Sequence, residues 1–460
     1  MKHISEKTSP FTIRNIRLFL AFRVFFNSRF YYPVFSIFFL DFGLSLSQFA
    51  ILNAVWAATI VLCEVPSGAL ADIVGRRNLL IFTGVVMVLE MALLAFAPRE
   101  NIDVLFLFFL ANRILSGMAE ASASGADEAL AYDSLSKEGN IKDWGMVLEK
   151  QMRYQSIGFI IVMVIGGMVY DPDLMGKAFR LLGFDITVTK DVTLRFPVYL
   201  TMIPAIFTLI TALMMKEVSN HKDECKDGAK CVNAVTDALK LTIQAGRWIL
   251  NTPFIVIVIL MGLIFDSVIR MIITMSSQYY RMIEIPEAMF GIIGSAVAML
   301  GLFIPTVARR LAQHHTPFFN LCLITVLTMS GLIGMCFFFP IFGLIPAMLL
   351  FSNMYFIGFF LSHYLNRATN SDQRATVLSF KGLCFNLGYG LIGIFYSILL
   401  SFLRAENQNL KPELEGEALK NIVFMDSMFW FPWYFGLTLA TLVLFAAWKL
   451  KHTDEYKRID

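Results

Sequence analysis

The segment that decides the fold is GALADIVGRRNLL, residues 68–80. It lies where one apolar run, residues 47–71, ends and the next, residues 79–97, begins. Each run is long enough to cross the roughly 30 Å of hydrocarbon in a bilayer as a helix. The two glycines allow the chain to turn sharply, and the arginine pair suits a cytosolic membrane surface. The segment therefore predicts a tight loop between two transmembrane helices.

The composition of the chain is that of a membrane protein. Its 460 residues are 57% hydrophobic and only 16% charged, with a mean hydropathy of +0.65. These values lie well outside those of soluble domains. The six cysteines show no paired spacing, so we expect free thiols and no bound metal.

Apolar runs divide the chain into twelve predicted transmembrane helices around one long polar linker. The linker, residues 216–250, ends in a mildly amphipathic stretch that predicts a short helix. It separates an N-terminal six-helix bundle, residues 1–215, from a C-terminal six-helix bundle, residues 251–460. The sequence thus predicts an all-α polytopic membrane protein. The twelve runs lie at residues 18–40, 47–71, 79–97, 104–132, 146–170, 196–215, 253–280, 288–308, 317–338, 341–365, 375–402 and 424–449.

The distribution of basic residues predicts the orientation of the chain. With a cytosolic N-terminus, most Lys and Arg residues outside the apolar runs fall in loops on the cytosolic side. The positive-inside rule therefore places both termini and the linker in the cytosol. Short loops and the absence of an Asn-x-Ser/Thr sequon suit the inner (plasma) membrane of a bacterial cell. We expect a multi-pass protein in that membrane.

The two halves of the chain show a weak internal repeat. A proline near the end of the second run recurs in the eighth, and an Asn and a Gly in the fourth run recur in the tenth. The offsets agree within the slack of a loop, which predicts a parallel duplication with a pseudo-twofold axis along the membrane normal. The matching residues are Pro66 with Pro305, Asn112 with Asn353, and Gly117 with Gly358.

The segment 68–80 resembles the signature loop of the major facilitator superfamily. Ile73 departs from the family pattern, which usually has a basic residue there. The resemblance implies two pseudo-symmetric six-helix bundles and secondary transport by alternating access. It also implies that the loop acts as a conformational latch, through Gly68, Asp72, Gly75, Arg76 and Arg77. The alternative is that the two arginines only follow the positive-inside rule. The matching residues are Gly68, Leu70, Ala71, Asp72, Gly75, Arg76, Arg77 and Leu80.

Eight ionisable residues inside the predicted spans stand out as intramembrane charges. Facing lipid at mid-membrane, each charged side chain would cost about 2.5 to 3.5 kcal/mol on insertion scales. We therefore expect most of them to face the space between the two bundles, where they line a cavity. The alternative is a set of buried ion pairs that hold helices in register. The eight residues are Arg23, Arg29, Glu64, Glu90, Arg113, Glu120, Asp266 and Arg270.

Three carboxylates are candidates for proton coupling. Glu90 is the strongest, because its helix has no other ionisable group. It could instead pair with Arg29 or Arg113. Glu64 and Glu120 are the other candidates, and for Glu64 we favour a structural pairing with Arg23.

Side chains that suit an organic solute occur in the first, fourth, seventh and eleventh runs. Aromatic walls with a few polar groups are typical of such sites, and arginines suit anions. Arg113, Glu120 and Asp127 recur every seven residues and so share one helix face, while Asp266 and Arg270 are four apart. The alternative for the aromatic residues is packing against lipid or neighbouring helices. The predicted substrate-binding residues are Arg29, Tyr31, Tyr32, Arg113, Asp266, Arg270, Asn386 and Tyr389.

Transport is favoured over catalysis. The sequence has no His-Glu-x-x-His helix, no Gly-x-Ser-x-Gly elbow and no phosphate-binding Gly-rich loop, so we expect no enzyme activity. Many Phe and Met residues suit an exporter of drug-like amphipathic compounds, whereas four intramembrane arginines suit an importer of an organic anion. We expect a monomer without cofactors whose partners are a small-molecule substrate, protons and the lipid bilayer, and no nucleic acid.

The predicted outer loop, residues 171–196, contains ITVTKDVTL. Its alternation of apolar and polar residues is typical of a short hairpin. We expect decoration of the outer surface, or a cover over the outer mouth.

Overall fold

The computed structural model describes most of the chain and is built of helices. It describes residues 9–140, 143–184, 188–218, 249–250, 252–368, 371–410, 413 and 415–451. Within these ranges, eleven helices are long and apolar enough to cross a membrane, and one shorter apolar segment spans Tyr32–Phe42. The predicted all-α polytopic architecture is confirmed.

Eighteen α-helices occur in the described part of the chain. In chain order they are α1 Arg14–Phe26, α2 Phe35–Phe42, α3 Leu46–Val74, α4 Arg76–Ala95, α5 Ile102–Ala123, α6 Ala126–Glu138, α7 Trp144–Tyr170, α8 Pro172–Leu181, α9 Lys190–Thr193, α10 Phe196–Met214, α11 Pro253–Thr274, α12 Ser276–Met282, α13 Glu287–His314, α14 Pro317–Met335, α15 Leu344–Ala368, α16 Ser371–Leu410, α17 Gly416–Met428 and α18 Trp430–Lys451.

The first predicted span, residues 18–40, is not one continuous helix. α1 ends at Phe26, a 3-10 turn follows at Tyr32–Val34, and α2 begins after it. Pro33 explains the interruption, since it has no N–H to donate and disfavours helical geometry in the residue before it. The break places Arg29 outside a regular helix, and the N–H of the next residue, Phe30, donates to Oγ1 of Thr201 at 3.0 Å.

Three further predicted spans are also broken, and one of them, the run 424–449, divides into α17 and α18 at Phe429. The run 104–132 divides into α5 and α6 at Gly125, whose φ of 78° few other residues adopt. Asp127 therefore belongs to the first turn of α6 and not to the face of α5 that carries Arg113. The run 253–280 divides into α11 and α12 at Met275.

The predicted hairpin in the outer loop is wrong. α8 and α9 occupy most of this loop, and Lys190–Thr193 in the proposed second strand forms a helical turn. Pro172 and the Asp171 cap start α8, and the capping carboxylate accepts N–H bonds from residues 173 and 174. Residues 185–187 lie outside the described part. The predicted amphipathic helix of the linker falls on residues 219–248, which also lie outside it.

Contacts divide the chain into two compact units. The first comprises Met1–Val34 and Ala58–Leu239, and the second comprises Phe35–Ala57 and Lys240–Asp460. In the first unit, α4 packs against α5 and α10, and α1 packs against α7 and α10. In the second, α11 packs against α15, α16 and α18, and α2 packs against α12. The short helix α2 and the start of α3 therefore pack with helices that come more than 200 residues later.

Helix boundaries repeat along the chain and support the predicted duplication. α3 and α13 begin 241 residues apart, as do α4 and α14. The turns before α3 and α13 contain residues with positive φ at the same offset, Gly43 at 117° and Glu284 at 62°. Asn112 donates to the carbonyl of Glu90 at 2.9 Å, and its repeat equivalent, Asn353, donates to Thr328. In each half, one asparagine thus links the fourth span to the third.

The interrupted part of the first span packs closely against a glycine of α7. A Cβ at Gly166 would lie 2.0 Å from the backbone oxygen of Phe30 and 3.0 Å from the ring of Pro33. Only a residue without a side chain lets α7 approach this closely. The position of Arg29, next to Phe30, depends on this contact.

We expect Gly166→Ala to lower the thermal unfolding temperature of the purified protein. The added methyl group meets backbone, which cannot move aside cheaply, so the cost is about 1–3 kcal/mol. Gly176→Ala in α8 is the matched control, because a Cβ there meets nothing within 4 Å, and alanine favours a helix. Equal unfolding temperatures for the two variants would contradict this account.

Candidate functional site

A buried ion pair lies at the centre of the first unit. Arg29 follows the end of α1 and is 2% exposed, and Glu90 of α4 is 0% exposed. Nη1 of Arg29 donates to Oε1 of Glu90 and also contacts the hydroxyl of Tyr31 at 3.2 Å. The sequence predicts that Glu90 pairs with Arg29 or Arg113, and in the structure it pairs with Arg29. Both charges are thus removed from lipid, and each compensates the other.

One oxygen of Glu90 has no hydrogen bond within the described structure. Oε2 is buried and has no partner among the described residues. Next to it on α5, Oδ1 of Asn112 lies 3.3 Å from both Nε and Nη2 of Arg113. Sequence reasoning assigned no role at the site to Asn112, although its match with Asn353 in the repeat marked the position.

Two exposed side chains lie near the buried pair. The side chains of Tyr32 and Glu120 are exposed, 40% in the case of Tyr32. Both lie close enough to Arg29 for electrostatic interaction, and Glu120 also interacts with Glu90. An exposed carboxylate therefore lies beside a buried one.

The predicted pairing of Arg23 with Glu64 is wrong. Nε of Arg23 lies 2.5 Å from Oδ2 of Asp127, and its Nη2 lies 2.8 Å from Oε1 of Glu128. The break at Gly125 is the reason, because it starts α6 with two carboxylates in its first turn. Oε2 of Glu64 is buried and accepts no hydrogen bond from the residues that the structure describes.

A second polar cluster lies in the second unit. Arg270 of α11 contacts Asp266 one turn earlier, with 2.7 Å between Nη2 and Oδ2, and donates to Oδ1 of Asn386 at 3.1 Å. Its guanidinium also lies 5.3 Å from the ring centroid of Tyr389. The hydroxyl of Tyr389 is 2.9 Å from that of Thr274. The structure thus brings together the four predicted binding residues of the seventh and eleventh runs.

A cavity of about 330 Å³ lies beside this cluster, within the second unit. Asp266, Arg270, Asn386 and Lys381 supply its polar lining. Our sequence reasoning missed Lys381, although it is an ionisable residue inside the predicted run 375–402. Such a cavity is large enough for a small organic molecule.

The loop between α3 and α4 is fixed by contacts to the end of α10. Gly75, with a φ of 97°, precedes α4, and a Cβ there would lie 2.7 Å from Oε2 of Glu217. That oxygen accepts the backbone N–H of Arg77 at 2.9 Å. The Arg77 side chain donates to the carbonyls of Leu213 and Met215. Sequence reasoning missed Glu217, which carries no motif.

The other predicted latch residues are only partly described. Arg76 forms an ion pair with Asp133 of α6. Gly68 and Asp72 are helical positions within α3, and their side-chain positions lie outside the described part. The latch therefore stays a prediction.

The described residues offer no evident metal centre. Within the described ranges, no three His, Cys, Asp or Glu side chains are grouped so that they could hold a metal ion. Cys63, Cys322, Cys336 and Cys384 are free thiols. Cys225 and Cys231 lie outside the described residues.

Comparisons with known proteins identify the family. The model of the Major Facilitator Superfamily matches residues 17–393. The chain therefore belongs to the Major Facilitator Superfamily, and family and fold indicate a transporter. No curated protein matches this sequence.

Solved transporters share the fold. A bacterial homolog of the human lysosomal transporter Spinster, in an inward-facing and unoccupied conformation, matches with a TM-score of 0.69 and 12% identity over 97% of this chain and 99% of that one. The nucleoside transporter NupG matches with a TM-score of 0.64 and 13% identity, over 93% and 98%. A D-xylose-proton symporter matches with a TM-score of 0.61 and 12% identity, over 92% of this chain and 97% of that one. At such low identity, these matches establish the fold alone.

The ion pair of the first unit can be tested by a mutant cycle. Glu90→Gln leaves the charge of Arg29 buried without a counter-charge, so we expect a loss of about 3–5 kcal/mol in stability. The double variant Arg29→Met with Glu90→Met removes both charges and is expected to recover most of that loss. Thermal unfolding of the purified proteins measures both effects. A double variant less stable than Glu90→Gln would show that the pair is not the main contribution.

Proposed function

We propose that the protein is a secondary active transporter that moves a small organic solute by alternating access and couples this movement to protons. The observation that carries the proposal is the Arg29–Glu90 pair, an ion pair buried in a membrane-spanning unit beside the exposed carboxylate of Glu120. Family membership supports transport, and charged groups held inside membrane helices commonly mark ion and substrate pathways.

The proton step follows from the charge balance of the pair. Glu120 takes up a proton from water, and Glu90 takes it up next, since the two carboxylates interact. Protonated Glu90 no longer neutralises Arg29, so the guanidinium must find another negative group or water. Protonation of the carboxylates thus changes which conformation of the helices is favoured. Glu64, whose buried oxygen accepts no hydrogen bond among the described residues, is a further candidate.

Substrate contacts are proposed in both units. In the first, they are Arg29, Arg113 and the tyrosines of the interrupted first span. In the second, they are the residues of the polar cluster beside the cavity, Asp266, Arg270, Asn386 and Tyr389. We also propose that the loop at residues 68–80 acts as a conformational latch and that both termini lie in the cytosol. The protein is further proposed to be a monomer in a bacterial inner membrane.

Flux in liposomes tests this function. Purified protein, reconstituted with an imposed pH gradient, is expected to accumulate at least one solute of a small-molecule panel above its equilibrium concentration. Glu90→Gln is expected to keep exchange at equal concentrations but to lose accumulation driven by the gradient, because the neutral amide cannot carry the proton.

Exchange is the control for folding in this experiment, since an unfolded variant would lose both activities. Asp103→Asn, which removes an exposed carboxylate in the first turn of α5, should keep gradient-driven accumulation. If Glu90→Gln accumulates solute as the parent does, the proton is carried by another group. If the parent moves no solute of a broad panel, the transport proposal fails.

A further inference from the structure

The cavity of the second unit has an excess of positive charge. Its ionisable lining consists of Asp266, Arg270 and Lys381, one anion and two cations. The carboxylate of Asp266 and the amide oxygen of Asn386 both contact Arg270. Lys381 forms no ion pair with any residue that the structure describes, and its Nζ lies 5.7 Å from the ring centroid of Phe385.

The rest of the cavity wall is apolar and leaves space. Ile357, Leu361 and Phe385 line it together with two glycines, Gly358 and Gly382. A Cβ on either glycine would meet no atom within 4 Å. The cavity thus combines a net excess of one positive charge with an apolar wall and free volume, inside a unit whose surroundings screen charge poorly.

We propose that this cavity binds the carboxylate of a small organic acid, with Lys381 as its main ionic contact and Arg270 beside it. The inference rests on the proposed transport function and names the substrate class of that site. A carboxylate neutralises the excess charge, and its apolar body occupies the wall formed by Ile357, Leu361 and Phe385. A charge-assisted hydrogen bond is the stronger kind, and its loss weakens binding about ten- to a hundredfold.

Binding is measured by thermal stabilisation of the purified full chain, with benzoate and lactate as probes. The amides benzamide and lactamide have the same shapes without the charge, and inorganic phosphate is a separate anion arm. We expect the carboxylates to stabilise the parent protein more than the amides or phosphate do. Lys381→Gln should bind them at least about tenfold more weakly, whereas Lys420→Gln, a control on the exposed end of α17, should bind as the parent does.

The inference fails if the acids and the amides bind equally well, or if Lys381→Gln binds the acids as tightly as the parent does. It also fails if phosphate alone stabilises the protein, or if neither acid does. Proton-driven flux of an uncharged or cationic solute would, in any of these cases, leave the transport function standing while the carboxylate class fails.

Discussion

The structure of the first unit depends on the burial of one ion pair, that of Arg29 and Glu90. Neither charge could face hydrocarbon alone, and the pair forms where the first span is interrupted before Pro33. The interruption in turn needs the close approach of α7 at Gly166. A proline and a glycine, neither of them charged, thus help to place a guanidinium where a carboxylate of another helix can neutralise it.

The two halves use the same repeat position in different ways. Arg29 and Arg270 are 241 residues apart, the offset of the repeat, so they are equivalent. Arg29 is nearly inaccessible and pairs with a carboxylate of another helix, whereas Arg270 is 24% exposed and pairs with Asp266 on its own helix. The first arrangement holds two spans together, and the second leaves a cation beside a cavity. The same repeat position thus carries a buried ion pair between two helices in the first unit and a partly exposed cation beside a cavity in the second.

Hydropathy and helical spacing predicted most of the spans and the proximity of Asp266 to Arg270, because both depend on local sequence. The break at Pro33 and the intramembrane charge of Lys381 were also visible in the sequence, since each departs from a regular apolar run. The partners of Arg23 could not be predicted in the same way. They depend on the turn at Gly125, which redirects the chain over several residues and brings distant groups together. Long-range geometry of this kind leaves no periodic signal in a single sequence.

The turn that precedes α13 shows how equivalent positions of the two halves have diverged in sequence. Its equivalent before α3 uses Gly43, with a φ of 117° that costs glycine little, whereas here Glu284 has a positive φ of 62°. Both corners thus retain a positive φ although their residues differ, and the second retains it in a residue type that rarely adopts it. The sign of this dihedral angle therefore marks the repeat at a position where the amino acids do not match.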